Sequence, residues 1–311
     1  EFFFFNPENV DPDRNKIMGL FYEEGHWVRK ETNFPDVIDN SPPTKLNQEI
    51  YNKLKESVPF TTHRIGSKDF IYNRLMREKL YQNLLIPTKK VDTTSDVLEY
   101  LAEYKKIILK PQRGNRGRGI YYIEDRNSYY LIIANKEKIE LEKNKIDTFI
   151  ENEITHKNYI VQRYIQSLTK DNLPFDIRIH VRRDINAEWK VVKIYPRIGT
   201  NDGITSNVSQ GGYIGQIDKF LKRQFGDKYL TVHDELTKLA KEFPVYFQKG
   251  YNYNIDALGI DIGIDDNCKL WLFEVNSYPG STFFELESQI VAMGYAKYLA
   301  QQEKQRHIIK T

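Results

Sequence analysis

The sequence lacks the features that would place it outside the ordinary globular class. It has a single cysteine, Cys268, so no intramolecular disulfide can form and nothing calls for an oxidising compartment. Lys and Arg (46) nearly balance Asp and Glu (43), which argues against a general attraction to nucleic acid or anionic membrane. No segment approaches the roughly 18 uninterrupted apolar residues of a membrane span. We therefore expect a cytoplasmic protein that binds neither nucleic acid nor membrane.

The chain nevertheless has ample material for packed cores. Its 311 residues are 40% apolar and 13% aromatic, enough for one large domain or two to three smaller ones. The opening residues 1–5, a glutamate and four phenylalanines, lack the basic region of a signal peptide and predict a strand. Because the chain starts without Met inside that strand, we expect Glu1-Phe2 to be a cloning remnant or upstream sequence to be missing.

Hydrophobic periodicity and turn residues divide the chain into three parts. Residues 1–66 contain many turn formers between short apolar runs and predict a small N-terminal lobe of strands and loops. Residues 67–160 contain helix and strand patterns around a glycine-rich hairpin, and residues 161–311 contain longer alternating strands with three helices. The predicted class is therefore α+β, with two α+β lobes after a short N-terminal lobe.

A glycine-rich loop lies between two predicted strands. It spans residues 112–119, carries three arginines and includes Arg113, Gly114, Arg116 and Gly117. Exposed backbone amides and guanidinium groups suit polyphosphate, but the glycine spacing is neither a Walker loop nor a dinucleotide fingerprint. We interpret it as a lid over phosphates. The alternatives are a solvated hairpin and an RGG-like segment that binds nucleic acid.

Two lysines could add positive charge to such a site. Lys110 ends the strand before the loop and alternates with Ile107 and Leu109, so it points to the opposite face of that strand. Its ammonium could there meet an α-phosphate or a base. Lys68, near the start of a predicted helix, could supply a second positive charge.

A predicted hairpin near the C-terminus brings two carboxylates together. Residues 258–264 alternate strictly, which places Asp261 on a glycine face with room for a ligand. In the strand 269–276, the same alternation places Glu274 and Asn276 on one face. The opposite face is predicted to carry Trp271, Phe273 and Val275. A four-residue loop would set Asp261 directly opposite Glu274, and a two-residue loop would set it diagonally.

These oxygen ligands favour a hard cation. Two carboxylates and an amide without nearby His or Cys suit Mg²⁺ that keeps waters and takes phosphate oxygens, whereas zinc is disfavoured. The alternative is a surface hairpin with solvated acids. Against it, Glu274 lies inside an otherwise apolar strand, where an unpaired charge would be costly.

A third strand has an unusually charged face. From Phe175 to Arg182 every second residue is polar, so one face carries Asp176, Arg178, His180 and Arg182. Arg197 closes the next strand, and the polar loop after it, residues 203–212, contains Asn207 and could cover a substrate. The alternative is an ordinary half-exposed sheet, which is the preferred interpretation for His180 alone.

The order of these motifs over about residues 67–285 resembles the ATP-grasp superfamily. Within it, the sequence is most similar to the spore-coat-associated YheC/YheD group. The motifs that carry this likeness are Phe34-Pro35-Asp36-Val37, Leu109-Lys110-Pro111, Asp176-Ile177-Arg178, residues 207–212 and, most strongly, residues 274–280.

The resemblance implies an ATP-grasp fold whose two lobes sandwich ATP. Lys68 and Lys110 would lie near the adenine and α-phosphate, and the glycine-rich hairpin would cover the β- and γ-phosphates. Further nucleotide-binding residues implied by the family are Gln162, Arg163, Tyr164 and Ile165, whose backbone reads the adenine, together with Asp176. The implied magnesium ligands, for two ions, are Asp261, Glu274 and Asn276, and the implied catalytic residues are Arg178, Arg197 and Asn207.

The implied reaction joins a carboxylate to an amine, or to a related nucleophile such as a hydroxyl, through an acylphosphate. The substrate would be an amino acid, a peptide or a peptide-like polymer. Such chemistry needs positioning and charge neutralisation more than acid–base catalysis, which agrees with the lack of a nucleophile or His dyad. The alternative is a low-turnover, nucleotide-dependent binding or spore-assembly protein. The N-terminal lobe is short for a complete family member, and homo-oligomerisation is left open.

Overall fold

The computed structural model describes residues 1–42, 47–79, 81–112, 119–134, 137–200 and 212–310, with side chains as far as Gln305. Its helices are α1 (Gln48–Ser57), α2 (Lys68–Glu78), α3 (Thr94–Tyr104), α4 (Ile146–Glu153), α5 (Ile217–Phe225), α6 (Tyr229–Gln248) and α7 (Glu285–Lys310). Its strands are β1 (Phe3–Phe4), β2 (Val10–Asp11), β3 (Lys16–Glu23), β4 (His26–Asn33), β5 (Thr88–Lys90), β6 (Lys106–Pro111), β7 (Tyr121–Asp125), β8 (Tyr129–Ala134), β9 (Glu137–Glu142), β10 (Tyr159–Arg163), β11 (Phe175–Arg183), β12 (Trp189–Ile198), β13 (Tyr213–Ile214), β14 (Ala257–Ile264) and β15 (Leu270–Asn276). Within these residues, no helix has both the length and the apolarity needed to cross a membrane.

The N-terminal sheet is built around β3, which pairs antiparallel with β1, β2 and β4. The β3–β4 hairpin turns through Glu24 and Gly25, with φ of 47° and 85°, because a two-residue turn must take positive φ to match the strand twist. Helix α1 packs Leu54 into the core under this sheet. The hairpin and α1 are longer elements than the short strands and loops predicted for this region.

The middle sheet has six antiparallel strands in the order β5-β10-β6-β7-β8-β9. Helices α3 and α4 cover one face, where Val97 and Ile150 pack against Leu109 and Val161. Thr93 and Asp96 form a capping box that fixes the start of α3. Because side chains alternate along a strand, neighbours of the buried residues project from the uncovered face.

The C-terminal sheet has five antiparallel strands in the order β13-β12-β11-β14-β15. One face is apolar and packs against α2, α5 and α6, with Ile177, Ile260 and Phe243 at its centre. The opposite face carries the charged row of β11, and α7 lies over part of that face. The predicted α+β class is therefore confirmed.

The middle and C-terminal sheets also contact each other directly. Leu85 forms a parallel bridge with Leu272 of β15, and Ile86, Ile165 and Trp271 form a small cluster where the sheets meet. Helix α2, at the start of the predicted lobe of residues 67–160, packs in the core of the C-terminal sheet through Ile71 and Leu75. The division at residues 66 and 160 stays a prediction.

Candidate functional site

A cleft of about 440 Å³, counting its open mouth, lies between the uncovered face of the middle sheet and the edge of the C-terminal sheet. Its polar lining consists of Lys68, Thr88, Lys110, Gln162 and Glu274. Its apolar walls consist of Ile71, Tyr72, Leu75, Leu85, Ile160, Leu272, Phe273 and Val275. An apolar slot with a few convergent charged groups is the usual character of a small-molecule site. The structure thus brings together Lys68, Lys110, Gln162 and Glu274 from the predicted set.

Lys110 projects into this cleft because Ile107 and Leu109 are fully buried on the other face of β6. Its ammonium donates to Oε1 of Gln162 at 2.9 Å, and Nε2 of Gln162 donates to the Thr88 hydroxyl at 2.7 Å. Thr88 in turn donates to the carbonyl of Ile86 at 2.8 Å. This chain of hydrogen bonds holds the lysine in place from two neighbouring strands.

The ammonium of Lys110 is easily neutralised. Loss of hydration on burial lowers its pKa to about 8, and Lys68 acts in the same direction. The carboxylates of Glu274 and Asp261 oppose this decrease. An added negative charge, such as a phosphate group, would stabilise the charged form of this partly buried lysine.

Asp261 of β14 is paired directly with Glu274 of β15. The connecting loop spans residues 265–269, one residue longer than the loop predicted for direct opposition, and the register shifts between Asp261 and Ile262. The shift leaves Phe273 as an extra residue in β15, a β-bulge. A bulge and a longer loop therefore produce the register that a four-residue loop alone would have produced.

The bulge changes which side chains share a face. The predicted alternation placed Trp271 with Val275, and this is wrong. Ile260 is paired with Val275 and Ile262 with Leu272 on the core face, whereas Gly263 is paired with Trp271 on the face of Asp261. The extra residue reverses the alternation between the two ends of β15, because side chains alternate with a period of two.

The glycines beside Asp261 do not leave room for a ligand, as the sequence had suggested. A Cβ atom on Gly263 would lie 2.1 Å from the Phe273 ring. A Cβ atom on Gly259 would lie 2.8 Å from Pro279 and 3.0 Å from Arg178. The chain's own side chains therefore occupy these spaces, and the space for a ligand lies on the Glu274 side.

Asp261 is the centre of an arginine cluster. Arg178 binds its carboxylate through both Nε and Nη2, the latter at 2.9 Å, and Nη2 of Arg197 lies 2.9 Å from Oδ2. Arg197 also donates to both oxygens of Asp176, at 2.7 and 2.5 Å. Two aspartates thus balance two arginines, and each of the four side chains is at most 12% exposed.

Asp261 and Arg197 stay charged although they are buried. Burial alone would raise the pKa of Asp261, but Arg178 and Arg197 outweigh it and hold that pKa below its usual range. Burial alone would lower the pKa of Arg197, but Asp176 and Asp261 outweigh this effect and hold that pKa above its usual range. Asp176, predicted to bind nucleotide, and the two predicted catalytic arginines are all engaged with one another.

Glu274 lines the cleft, and Asn276, two residues further along the same strand, is also partly exposed. The Glu274 carboxylate is 31% exposed and lies 3.5 Å from Lys68 Nζ. In the described part of the chain, no three His, Cys, Asp or Glu side chains gather closely enough to hold a metal. Mg²⁺ needs only one or two protein carboxylates when it also takes waters and phosphate oxygens, so Glu274 and Asn276 fit it. Asp261 would join them by exchanging an arginine contact.

The segment after Gln162 is already engaged by its neighbours. The amides of Arg163 and Tyr164 donate to the carbonyls of Pro87 and Lys106, both at 3.0 Å. The exposed Arg163 guanidinium lies 5.6 Å from the Trp271 ring, and Tyr164 packs edge-on against Tyr122. Ile165 is buried against Trp271. The two amides are therefore committed to the sheet and do not point into the cleft.

Several predicted residues lie outside the described part of the chain. They are Arg113, Gly114, Arg116 and Gly117 of the glycine-rich loop and Asn207 of the later loop. The strands on either side of the glycine-rich loop, β6 and β7, pair antiparallel from Lys106↔Glu124 to Leu109↔Tyr121. The roles assigned to these five residues stay predictions.

His180 takes no part in the cleft. It is fully buried, packs edge-on against Phe284 of the segment before α7, and accepts a hydrogen bond from Arg182 at 3.3 Å. Burial and the neighbouring arginines lower its pKa to about 3, so the ring is neutral. The structural interpretation preferred for this residue agrees with its position.

The sequence did not point to Thr88, Tyr72 or Phe273, which all line the cleft. Thr88 follows Ile86-Pro87 and could have been placed at a strand start, but nothing in the sequence shows its contact with Gln162. Tyr72 is one turn into α2, and burial raises the pKa of its hydroxyl. Phe273 reaches the cleft only because of the bulge, which has no sequence signal.

A family model and two curated relatives point to one family, and a solved structure shares the fold. The model of a family described as YheC/D-like ATP-grasp matches residues 57–299. The endospore coat-associated protein YheD of Bacillus subtilis (strain 168) is 24% identical over 299 residues, or 91% of this chain and 65% of YheD. YheC of the same strain is 23% identical over 292 residues, or 89% of this chain and 80% of YheC. The D-alanine-D-alanine ligase structure from Coxiella burnetii superposes with a TM-score of 0.50 at 10% identity, covering 84% of this chain and 66% of the ligase.

Proposed function

Because the chain belongs to the YheC/D-like ATP-grasp family, we propose that it is an ATP-dependent ligase that activates a carboxylate and joins it to an amine or hydroxyl group. The family match confirms the resemblance indicated by the motifs, and the fold is that of D-alanine-D-alanine ligase. The observation that carries the proposal is the cleft in which Lys68, Lys110 and Glu274 meet between two sheets. The chain spans 65% of the length of YheD, so the activity proposed is that of this part.

In the proposed complex, the nucleotide lies in the cleft with its base against the apolar walls. Tyr72, Ile160 and Leu272 provide a slot for a flat ring, and Lys110 is held by Gln162 where it can neutralise a phosphate. Phosphoryl transfer needs positioned positive charge more than acid–base groups, because the negative charge of the transferring group must be stabilised. Lys68 and the arginines of the glycine-rich loop would add to that charge.

Magnesium would be held by Glu274 and Asn276, with Asp261 as the third ligand. When bound, Mg²⁺ supplies charge neutralisation between phosphate oxygens. Lys68, which lies 3.5 Å from Glu274, now supplies part of that charge and would be released toward the nucleotide. Two Mg²⁺ ions are part of the proposal.

The proposed reaction has two steps. An oxygen of the substrate carboxylate attacks the γ-phosphorus, and the bond from that phosphorus to ADP breaks, which leaves an acylphosphate. The amine or hydroxyl then attacks the acyl carbon, loses a proton to solvent, and displaces inorganic phosphate. Arg178 and Arg197 lie behind Asp261, where one of them could turn to the acylphosphate if a cation took its place on that carboxylate.

The substrate proposed is an amino acid, a peptide or a peptide-like polymer, and the proposed location is cytoplasmic.

One observation favours the second candidate, a nucleotide-dependent binding or spore-assembly protein with low turnover. Both arginines of the cluster are bound by aspartates, so their positive charges are already partly neutralised by the protein and are less available to a phosphate. The relatives YheD and YheC carry the description endospore coat-associated.

The first test is thermal unfolding with ATP or ADP, with and without Mg²⁺. Nucleotide at about a hundredfold over its Kd should add roughly 2.7 kcal/mol to the free energy of unfolding, which raises Tm by about 5 °C. Glu274→Gln should abolish the Mg²⁺-dependent part of the shift. The matched control is Asp266→Asn, an equivalent change at an exposed acid in the same hairpin, which should behave as the wild type.

The second test separates the two candidates. ADP release that requires both a carboxylate and an amine or hydroxyl compound supports a ligase, and Glu274→Gln should abolish it. A nucleotide shift without such release across a broad screen would favour the binding protein. No shift with any nucleotide would contradict both candidates, because neither works without nucleotide.

A further inference from the structure

Helix α7 exposes a row of large apolar side chains directly after the strand that carries Glu274 and Asn276. Phe283 before the helix is 64% exposed, and Leu286, Ile290 and Met293 are 75%, 65% and 36% exposed. Ile185, 49% exposed, lies against Gly294 and extends the row sideways. Leu286, Ile290 and Met293 recur at i, i+4 and i+7, so they lie on one side of α7. We call these five residues the α7 face.

The opposite side of the same helix is already buried. Val291, Ala292, Tyr295 and Ala296 are each at most 8% exposed, and α7 contacts β11 and β12. A helix on the surface of a globular protein normally has one apolar side and one polar side, and one that is apolar on both sides is normally covered on both. The five exposed side chains leave an apolar area on the order of 500 Å² per chain, in the range of patches that are often functional.

The charged residues near the two ends of this face would be complementary between two copies of the chain. Glu287 lies near the start of α7 and Lys297 lies ten residues later, on either side of the Ile290–Met293 centre. Glu287 is 64% exposed although Lys193 approaches it to 3.8 Å, so it can accept a second cation. Two antiparallel copies of this helix, related by a two-fold axis near residue 292, would bring each Glu287 beside Lys297 of the other copy.

We propose that the α7 face is the interface of a two-fold dimer in which the α7 helices of two copies pack antiparallel. Ile290 lies at the centre of the contact, and Leu286 of each copy lies toward the Lys297 end of the other. The apolar side chains alone would bury on the order of 1,000 Å² in total, and with flanking residues the contact reaches the roughly 1,200 Å² of the smaller stable interfaces. The partner is thus a second copy of this chain.

The test measures molecular mass by light scattering and by sedimentation over a range of micromolar concentrations. The wild type should have twice the monomer mass, and Ile290→Glu should raise the dissociation constant of the dimer by at least about 100-fold. Ile139→Glu is the matched control, because Ile139 is 43% exposed on β9, far along the chain from α7. It should leave the dimer intact.

A charge exchange makes the test specific for this geometry. Glu287→Lys alone and Lys297→Glu alone should each weaken the dimer, because each places like charges together twice across the two-fold axis. The double variant should restore it. Circular dichroism and the nucleotide-induced Tm shift should be unchanged in every variant, which separates this proposal from the ligase proposal.

Three outcomes would overturn the proposal. The first is a wild-type chain that is monomeric throughout the concentration range, which would leave the face to a different partner, such as a peptide. The second is a dimer that persists in Ile290→Glu and therefore uses another surface. The third is a double charge variant that stays as weak as the single ones.

Discussion

The two carboxylates at the centre of the site are paired across neighbouring strands, yet they differ in burial and in the cations that contact them. Asp261 is 6% exposed and bound by Arg178 and Arg197. Glu274 is 31% exposed, faces the cleft, and lies 3.5 Å from Lys68. We refer to these as the arginine side and the lysine side. The backbone register is shared, so the difference arises from the elements around each carboxylate.

The comparison teaches that one charged site can combine a structural part and a responsive part. On the arginine side, two aspartates and two arginines satisfy one another, and breaking any of these pairs would leave a buried charge without compensation. On the lysine side, partly exposed groups and a lysine with a lowered pKa can change partner when a ligand enters. Ligand binding should therefore alter the lysine side first.

The largest expected effect is on stability. Asp261→Asn removes the acidic centre of the arginine side and should lower the free energy of unfolding by about 3 kcal/mol, the usual cost of breaking a buried ion pair. Glu274→Gln is the same chemical change on the lysine side and should cost less than about 1 kcal/mol, because the pair is partly exposed. Urea denaturation of the two variants measures the difference. Equal losses of stability would remove the distinction between the two sides.

A smaller effect is expected on the pH dependence of nucleotide binding. Lys110 is protonated below its pKa of about 8 and neutral above it. If the ammonium form binds phosphate, the Kd for ATP should rise about tenfold between pH 7 and pH 9, measured by calorimetry. In Lys110→Arg this rise should vanish, since a guanidinium stays charged over that range. A wild-type profile that matches Lys110→Arg would exclude Lys110 as the titrating group.

The same lysine should affect stability with the opposite sign. Its pKa is lower in the folded chain than in the unfolded chain, so the unfolded chain binds more protons between pH 8 and its ordinary pKa. The penalty for burying the ammonium is complete below pH 8 and is relieved as the pH rises above it. Without nucleotide, the difference in stability between Lys110→Met and the wild type should therefore shrink from pH 7 to pH 10.

The smallest expected effect comes from the hydrogen bonds that hold Lys110. Thr88→Val removes the partner of Gln162 Nε2 and should weaken ATP binding by roughly fivefold, about 1 kcal/mol, because Lys110 is less well positioned. The matched control is Thr94→Val, which removes a hydroxyl of α3 that donates to Glu151 of α4 at 3.1 Å, on the helix-covered side of the middle sheet and away from the cleft. An equal effect of the two changes on binding would show that Thr88 does not act through Lys110.

Part of this site could be predicted because strand geometry is local. The two-residue period of β11 and β14 is enough to place Asp176 and Arg178 on one face and Asp261 on the face opposite the isoleucines. The same rule predicted that Lys110 would leave the buried side of β6. It failed in β15, where one extra residue at Phe273 reversed the face of Trp271. A bulge is decided by how the strand packs with its neighbours, and the pattern of β15 gives no sign of it.

The sequence by itself determined the chemistry available: an α+β chain with a hairpin of acids, a row of arginines and two lysines beside a glycine-rich loop. Only the tertiary structure decided which of them are partners. Arg178 and Asp261 are 83 residues apart, and Arg197 and Asp176 are 21 apart, so their pairing depends on strand order. Local periodicity sets the face of a side chain, whereas contacts between distant segments set its burial, its charge partner and its pKa. For that reason Asp261 and Glu274, to which the sequence assigned the same role, differ in the folded protein.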